Sequence, residues 1–427
     1  MFIAVDDTDS VNGNCTTYLA TEFIRELMPD MDLIGNPRLV RLNPAVPWKT
    51  RGNGALVMEF GIGKGPGMKI GEIGGQDVLC FGKGAPAGDP EKMLDRLIPI
   101  LMKNRSDSSD SGLMISKARP DPSFYQRGVT TILDRRETDA ELKRIGAVTY
   151  TAGNGRGLTG AVCAMAWIPR DSTFELLAYR SRDRWGTPRS FVPSSVMRME
   201  ENFPTTFNSW DWELKKPAMI PATPCPVLYG LRGDVMEDLP PAADALETEE
   251  RERWMIFLTN QGTDDHILTE AGTLIPGQSY AVEGTVTGRA RRLKGGHLLL
   301  DMDTEAGPLT CAVYEPSKGF LDAFQHLIPG DGITVFGEIR DEPRVLNSEK
   351  LHIRSLTEDI EISNPECPVC GKRMKSAGKG QAYRCKKCRT KAGEVVKTVM
   401  PREIGTGWFE PPASSRRHLS KPLKRMD

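Results

Sequence analysis

The chain has 427 residues, 39% of them hydrophobic and 26% charged, with a formal net charge of −1. That length predicts three or four domains, and the composition is that expected of a soluble globular protein rather than a membrane-embedded one. The near-zero charge hides an asymmetry: residues 365–427 carry sixteen basic and five acidic side chains, so the remainder sums to −12. The acidic body is therefore a poor general binder of phosphate backbones, and the basic end is a candidate footprint for a polyanion.

In chain order, the apolar run Phe2-Ile3-Ala4-Val5 predicts a strand that ends in Asp6-Asp7-Thr8-Asp9-Ser10. Three carboxylates packed into four positions repel one another, which packing rarely uses but one or two Mg²⁺ ions on a nucleotide triphosphate would. Thr16 and Thr17 then open a helical pattern whose Leu19, Phe23, Ile24 and Leu27 form a core-facing stripe. Hydroxyls and amides at that helix start would face the phosphates beside the metal; the alternative is a solvated acidic turn with a threonine cap. Because the start of the chain reads directly into a strand, and no apolar run has the length of a membrane span, we expect no signal peptide and a cytoplasmic protein.

Leu39–Leu42 and Ala55–Phe60 read as short strands. The loop between them holds Trp48, Lys49 and Arg51, cations that would suit a triphosphate but would equally suit a surface turn. A glycine-rich stretch over residues 61–89 leads to a predicted helix from Glu91 to about Lys103, and Asn104–Gly112 reads as an exposed polar turn. The segment Thr151-Ala152-Gly153-Asn154-Gly155-Arg156-Gly157-Leu158-Thr159-Gly160 precedes the apolar Ala161–Ile168. Its glycines before a buried segment predict amides exposed at a helix start, able to bind an anion, with a purely structural turn as the alternative. Phe174–Tyr179 reads as a strand, with Arg180, Arg182, Arg184 and Trp185 at its end. Thr205–Asp211 and Cys225–Gly230 read as polar loops beside buried strands, and the acidic, Pro240-Pro241-containing stretch 234–252 predicts a change of unit.

From about residue 277 the pattern is all-β. Tyr280–Val286, His297–Met302, Leu309–Tyr314, Ile333–Ile339 and Leu351–Leu356 are five strands, with a helix over Ser317–His326 between the third and fourth. This fits an OB-fold, whose first connection (Arg289, Arg291, Arg292, Lys294) offers a place for a nucleic-acid backbone. A spacer or protein-binding role is the alternative. Cys367-Pro-Val-Cys370 and Cys385-Lys-Lys-Cys388 then have the spacing of a zinc ribbon, with disulfides or a rubredoxin-like iron as alternatives. The other five cysteines (Cys15, Cys80, Cys163, Cys225, Cys311) are scattered, as in a reducing compartment. Ten Lys or Arg lie between residues 365 and 400, which points the module toward nucleic acid.

Together these features read as an ATP-dependent enzyme acting on RNA, and the whole chain resembles the archaeal tRNA(Ile) 2-agmatinylcytidine synthetases. The resemblance rests on Asp6-Asp7-Thr8-Asp9-Ser10, Cys15-Thr16-Thr17-Tyr18-Leu19, Arg51-Gly52-Asn53-Gly54-Ala55, Asn154-Gly155-Arg156-Gly157-Leu158, Thr259-Asn260-Gln261-Gly262-Thr263-Asp264 and the four-cysteine ribbon. It implies an α+β multidomain protein: a kinase-like α/β catalytic domain and a ferredoxin-like domain, then an OB-fold barrel and a zinc ribbon. We place these at 1–255 (catalytic region), 256–276 (connector), 277–358 (OB-fold), 363–395 (ribbon) and 396–427 (basic tail).

The implied reaction joins agmatine to C2 of the wobble cytidine of a tRNA(Ile) with a CAU anticodon. ATP would phosphorylate the C2 oxygen, and the product, agmatidine, reads AUA. Asp6, Asp7 and Asp9 would hold Mg²⁺ and the phosphates, and Thr16 matches a threonine that is autophosphorylated in the family. Lys49, Arg51, Asn154, Gly155 and Gly157 are candidate ATP contacts, and Cys367, Cys370, Cys385 and Cys388 candidate zinc ligands. No membrane or protein partner is implied. The other readings are a small-molecule kinase or amine ligase with accessory modules, and a non-catalytic tRNA-binding protein.

Overall fold

The computed structural model describes all residues except 11–12, 50–51, 271, 379–380 and 427. Its larger unit is built on an eleven-stranded sheet. Phe2–Asp6 lies between Gly112–Ser116 and Gly54–Ile73, antiparallel to both. The path continues through Arg38–Arg41, Arg253–Thr259, Thr173–Tyr179 and Val227–Gly233. The period-two alternation of a strand explains the first element: Ile3 and Val5 enter one apolar core while Ala4 enters the opposite one. The helix Thr16–Leu27 and the helix Pro90–Asn104 cover the first face through Leu19, Phe23, Leu97 and Leu101. Helices Ser123–Thr130, Arg135–Arg144 and Gly157–Met165 cover the second.

Three expectations change here. The expected strand Ala55–Phe60 is the first third of Gly54–Ile73, which pairs with Gln76–Pro86 to make the glycine-rich stretch an extended hairpin. Alternation is weak there because both faces of the hairpin are largely exposed, so no periodic signal marks it. The acidic stretch 234–252 does not end the unit. The chain re-enters the same sheet at Arg253–Thr259, beside Thr173–Tyr179, so the strand crosses the expected 255/256 boundary. Asn104–Gly112 is not simply exposed: Ser109 and Ser111 are buried, and Ser111 Oγ donates to the Asp7 carbonyl at 2.8 Å.

The second unit is a five-stranded barrel. Ser279–Val286, Leu298–Thr304, Gly307–Val313, Gly332–Arg340 and Val345–Ser355 close in the order 1-2-3-5-4-1. The helix Lys318–Gln325 falls between the third and fourth strands and seals the core with Phe320 and Phe324. Asp359–Ser363 pairs antiparallel with Val396–Met400, a two-stranded stem that carries the ribbon between its ends. The segment beyond does not trail away as a basic tail. Gly407–Phe409 adds to the barrel strand Val345–Ser355, and Leu419 is buried in the core behind the helix Gly157–Met165.

Candidate active site

Asp6 ends its strand, and Asp7 has a φ of 55°, a left-handed turn that short polar side chains tolerate. The turn sends Asp6, Asp7 and Asp9 to one wall of a cavity of about 350 Å³. Thr16, the first residue of its helix, lines the same cavity and receives a hydrogen bond from Thr8 Oγ1 at 3.0 Å. Thr17, its neighbour, instead meets Cys15 Sγ at 3.0 Å, so the helix start offers the cavity the hydroxyl of Thr16.

Asp6 is deeply buried. Burial first, and then the charge of Asp7, push its carboxyl up to about 8, although the Asp7 amide donates to Oδ1 at 2.7 Å. Burial, Asp110 and Asp9 push Asp7 up to about 6, opposed by Arg156. Carboxylates whose protons are held this tightly have a shortage of positive charge, which a divalent cation would supply.

The glycine-rich loop works differently from the expected amide cradle. Asp110 takes its amides: Asn154 N donates to Asp110 Oδ1 and Gly157 N to the Asp110 carbonyl, both at 2.9 Å. The Arg156 amide donates to Asn154 Oδ1, also at 2.9 Å. The glycines serve close approach instead. A Cβ on Gly160 would lie 1.8 Å from Asp6 Oδ2, and one on Gly157 would lie 2.5 Å from the Asp6 carbonyl oxygen. Gly155 shapes the turn, with a φ of +70° and its carbonyl bound by Arg135, rather than facing the cavity.

Arg156 pairs with Asp110 at 2.9 Å and stacks on Trp48 at 4.7 Å from the ring centre. Lys49 lines the mouth and donates to the Pro44 carbonyl of its own loop. Arg51 lies outside the described residues. Leu42, Ile132 and Leu133 give the cavity an apolar side. An anionic wall, cations at the rim and an aromatic-apolar flank suit a metal-bound polyphosphate carrying a base.

Sequence reasoning missed Asp110, Arg135 and the Ile132–Leu133 flank. Asp110 lies in a serine-rich stretch that reads as solvated, and only its position beside Asp7 and the 153–157 loop marks it out.

In the ribbon, Cys367, Cys370, Cys385 and Cys388 place their Sγ atoms within 4.8 Å of one another. All four are free thiols, and Cys370 Sγ lies 3.7 Å from Cys385 Sγ, far beyond a disulfide bond. A tetrahedral ion with bonds of about 2.3 Å has sulfur–sulfur edges of about 3.8 Å, so the set fits zinc.

A cavity of this chemistry, with a barrel and a cysteine-clustered ribbon on the same chain, has the make-up of a multidomain enzyme. Three family models match: the TiaS TCKD domain over residues 2–154, the TiaS FLD domain over 155–266, and the TiaS C-terminal zinc ribbon domain over 364–404. The tRNA(Ile) 2-agmatinylcytidine synthetase TiaS of Archaeoglobus fulgidus is 37% identical, over all of this chain and 98% of that protein. The crystal structure of TiaS in complex with its isoleucine tRNA and ATP is similar with a TM-score of 0.89 at 35% identity. It covers all of this chain and 97% of that one. The complex of TiaS with the same tRNA, AMPCPP and agmatine is similar at 0.84 and 32%, with the same coverage. The chain belongs to the tRNA(Ile) 2-agmatinylcytidine synthetase family, ATP-dependent ligases that form a C–N bond.

Proposed function

We propose that this chain joins agmatine to C2 of the wobble cytidine of a tRNA(Ile) with a CAU anticodon, using ATP to activate the C2 oxygen. The observation that carries the reading is that Asp6, Asp7, Asp9, Thr16, Asn154 and Arg156 all open into one cavity. It is supported by the full-length likeness to proteins crystallised with an isoleucine tRNA, ATP and agmatine.

The C2 oxygen of cytosine is a poor leaving group. Transfer of a phosphoryl group from ATP breaks a phosphoanhydride bond of the nucleotide, whose remaining phosphates leave with the electron pair, and forms an O–P bond at that oxygen. The uncharged primary amine of agmatine then attacks C2, the C–O bond breaks, and the oxygen departs as phosphate, with a proton lost from nitrogen. Asp6, Asp7 and Asp9 would hold Mg²⁺, which neutralises phosphate charge when bound. Arg156 and Lys49, both on the cavity lining, would contact phosphates, and Thr16 would carry the family's autophosphorylation. The reacting base leaves the anticodon stack to enter, which favours an unpaired loop nucleotide as substrate.

We read the larger sheet as kinase-like and ferredoxin-like parts fused edge to edge, the barrel as an OB-fold, and the ribbon as a zinc-held tRNA contact. The enzyme works in the cytoplasm with its tRNA. No helix among the described residues is long and apolar enough to cross a membrane.

Incubation with agmatine, ATP and a tRNA transcript, followed by mass analysis of the wobble nucleoside, tests the reading. The expected product has gained agmatine less one water, and only with ATP present. Turnover of agmatine without RNA would favour a small-molecule ligase, and RNA binding indifferent to ATP would favour a non-catalytic binder.

A further inference from the structure

The C-terminal segment, expected from its charge to bind tRNA, has its cations already engaged within the protein. Arg416 pairs with Glu410 at 2.8 Å and Lys421 with Asp171 at 3.0 Å. Arg425 pairs with Asp171 at 2.8 Å and with Asp234 at 2.6 Å. Arg417 reaches two barrel carboxylates, Glu338 and, at 3.2 Å, Glu349. The backbone is tied down as well. Gly262 N donates to the His418 carbonyl at 2.8 Å and Asp264 N to the Leu419 carbonyl at 2.9 Å. The segment is thus zipped onto the Thr259–Asp264 motif and buried at Leu419.

That zipper delivers one side chain to the back of the nucleotide cavity. A Cβ on Gly52 would lie 2.8 Å from His418 Cε1 and 2.9 Å from Arg41 Nη1, so His418 and Arg41 pack directly on the loop at Gly52. Arg41 Nη1 donates to the Gly52 carbonyl at 2.8 Å. Arg41 is itself held at its backbone by Asn260, which accepts from the Arg41 amide at 2.7 Å and donates to its carbonyl at 2.9 Å. Gly52 and its neighbour Asn53 line the cavity. Glycine at position 52 is thereby explained: any side chain would strike the prop behind it.

We propose that His418 is a positioning residue of the nucleotide site, propping Gly52 so that Gly52 and Asn53 face bound ATP. The inference rests on reading the cavity as the ATP site. The prop is steric rather than electrostatic, since the positive charge of Arg41 and then burial hold His418 well below the usual imidazole range, hence neutral. Removing it takes away the packing behind Gly52, whose carbonyl Arg41 still holds, and Gly52 then samples conformations that withdraw it and Asn53 from the ligand. Binding of ATP weakens while the chemistry of bound substrate is retained.

The test compares His418→Ala, His418→Phe, Gly52→Ala and the double variant Gly52→Ala/His418→Ala in the full chain. KM for ATP and for tRNA, kcat, and the dissociation constant of ATP by calorimetry are measured for each. Alanine at 418 should raise KM and Kd for ATP about tenfold with kcat within about threefold and KM for tRNA unchanged. Phenylalanine, which refills the space, should stay within about threefold of wild type. Gly52→Ala should also weaken ATP, by clashing with an intact His418, and the double variant should bind ATP better than the product of the single effects predicts.

Unchanged ATP affinity in His418→Ala, or equal losses for ATP and tRNA, would overturn the proposal; so would independent effects in the cycle. Should His418→Ala fail to fold, Gly52→Ala and His418→Phe still decide it. A wild-type enzyme that binds no ATP would instead sink the underlying reading of the cavity.

Discussion

Asp6→Asn should stabilise the metal-free protein at neutral pH while abolishing modification. The folded state keeps the Asp6 proton up to about pH 8, whereas the exposed carboxyl of the unfolded chain releases it near its ordinary value of 3.8. Between those values the folded state binds one more proton than the unfolded. Stability therefore falls as pH rises, by about 1.4 kcal/mol per unit. Asparagine has the same shape, keeps an oxygen for the Asp7 amide and carries no charge, so it removes this slope. From pH 5 to pH 7 the wild type should lose about 2.7 kcal/mol relative to the variant. Urea unfolding in magnesium-free buffer, followed by tryptophan fluorescence, measures it, because Trp167 is buried in the core behind the cavity. Added Mg²⁺ should flatten the wild-type slope, the cation taking the place of the proton. Parallel stability curves for wild type and Asp6→Asn across this range would show that Asp6 is ionised in the folded protein, and the argument for a cation site would fail.

Gly160→Ala should abolish modification with the fold retained, because its Cβ would lie 1.8 Å from Asp6 Oδ2 and must displace that carboxylate; product mass analysis and circular dichroism read the two effects. Thr16→Ala should remove any phosphorylated form of the protein, read by peptide mass spectrometry after incubation with ATP. Phosphate on Thr17 instead would contradict its orientation toward Cys15. Replacing residues 364–395 by a short turn between the paired Ser363 and Val396 should weaken tRNA binding. The salt dependence should drop by about 0.9 for each phosphate that the ribbon no longer neutralises, read from titrations at several salt concentrations. Nucleotide binding should survive that deletion, since the segment after residue 400 stays in place. Zinc chelation or Cys385→Ser should act in the same direction.

How far the sequence reached depended on whether its signals were local. The strand Phe2–Asp6, the helix Thr16–Leu27, the five barrel strands and the four-cysteine cluster were all legible, since hydrophobic period and ligand spacing are written in adjacent residues. The acidic cluster and Thr16 stand out in the sequence for the same reason, and the structure brings them to one cavity with Asn154.

What adjacency does not encode was missed. Asp110 looks like part of a solvated turn, and only folding brings it beside Asp7 to occupy the loop amides. Gly157 and Gly160 suggest an anion cradle, yet tertiary packing uses them to admit Asp6. The basic residues of 401–427 look free for tRNA, because charge counts do not show that Glu338, Glu349, Asp171 and Asp234 lie against them. A sequence by itself determines which side chains are available and what local elements they form. Which carboxylate meets which cation, and which glycine must make room, is decided by contacts between residues far apart in the chain, and those exist only once the chain has folded.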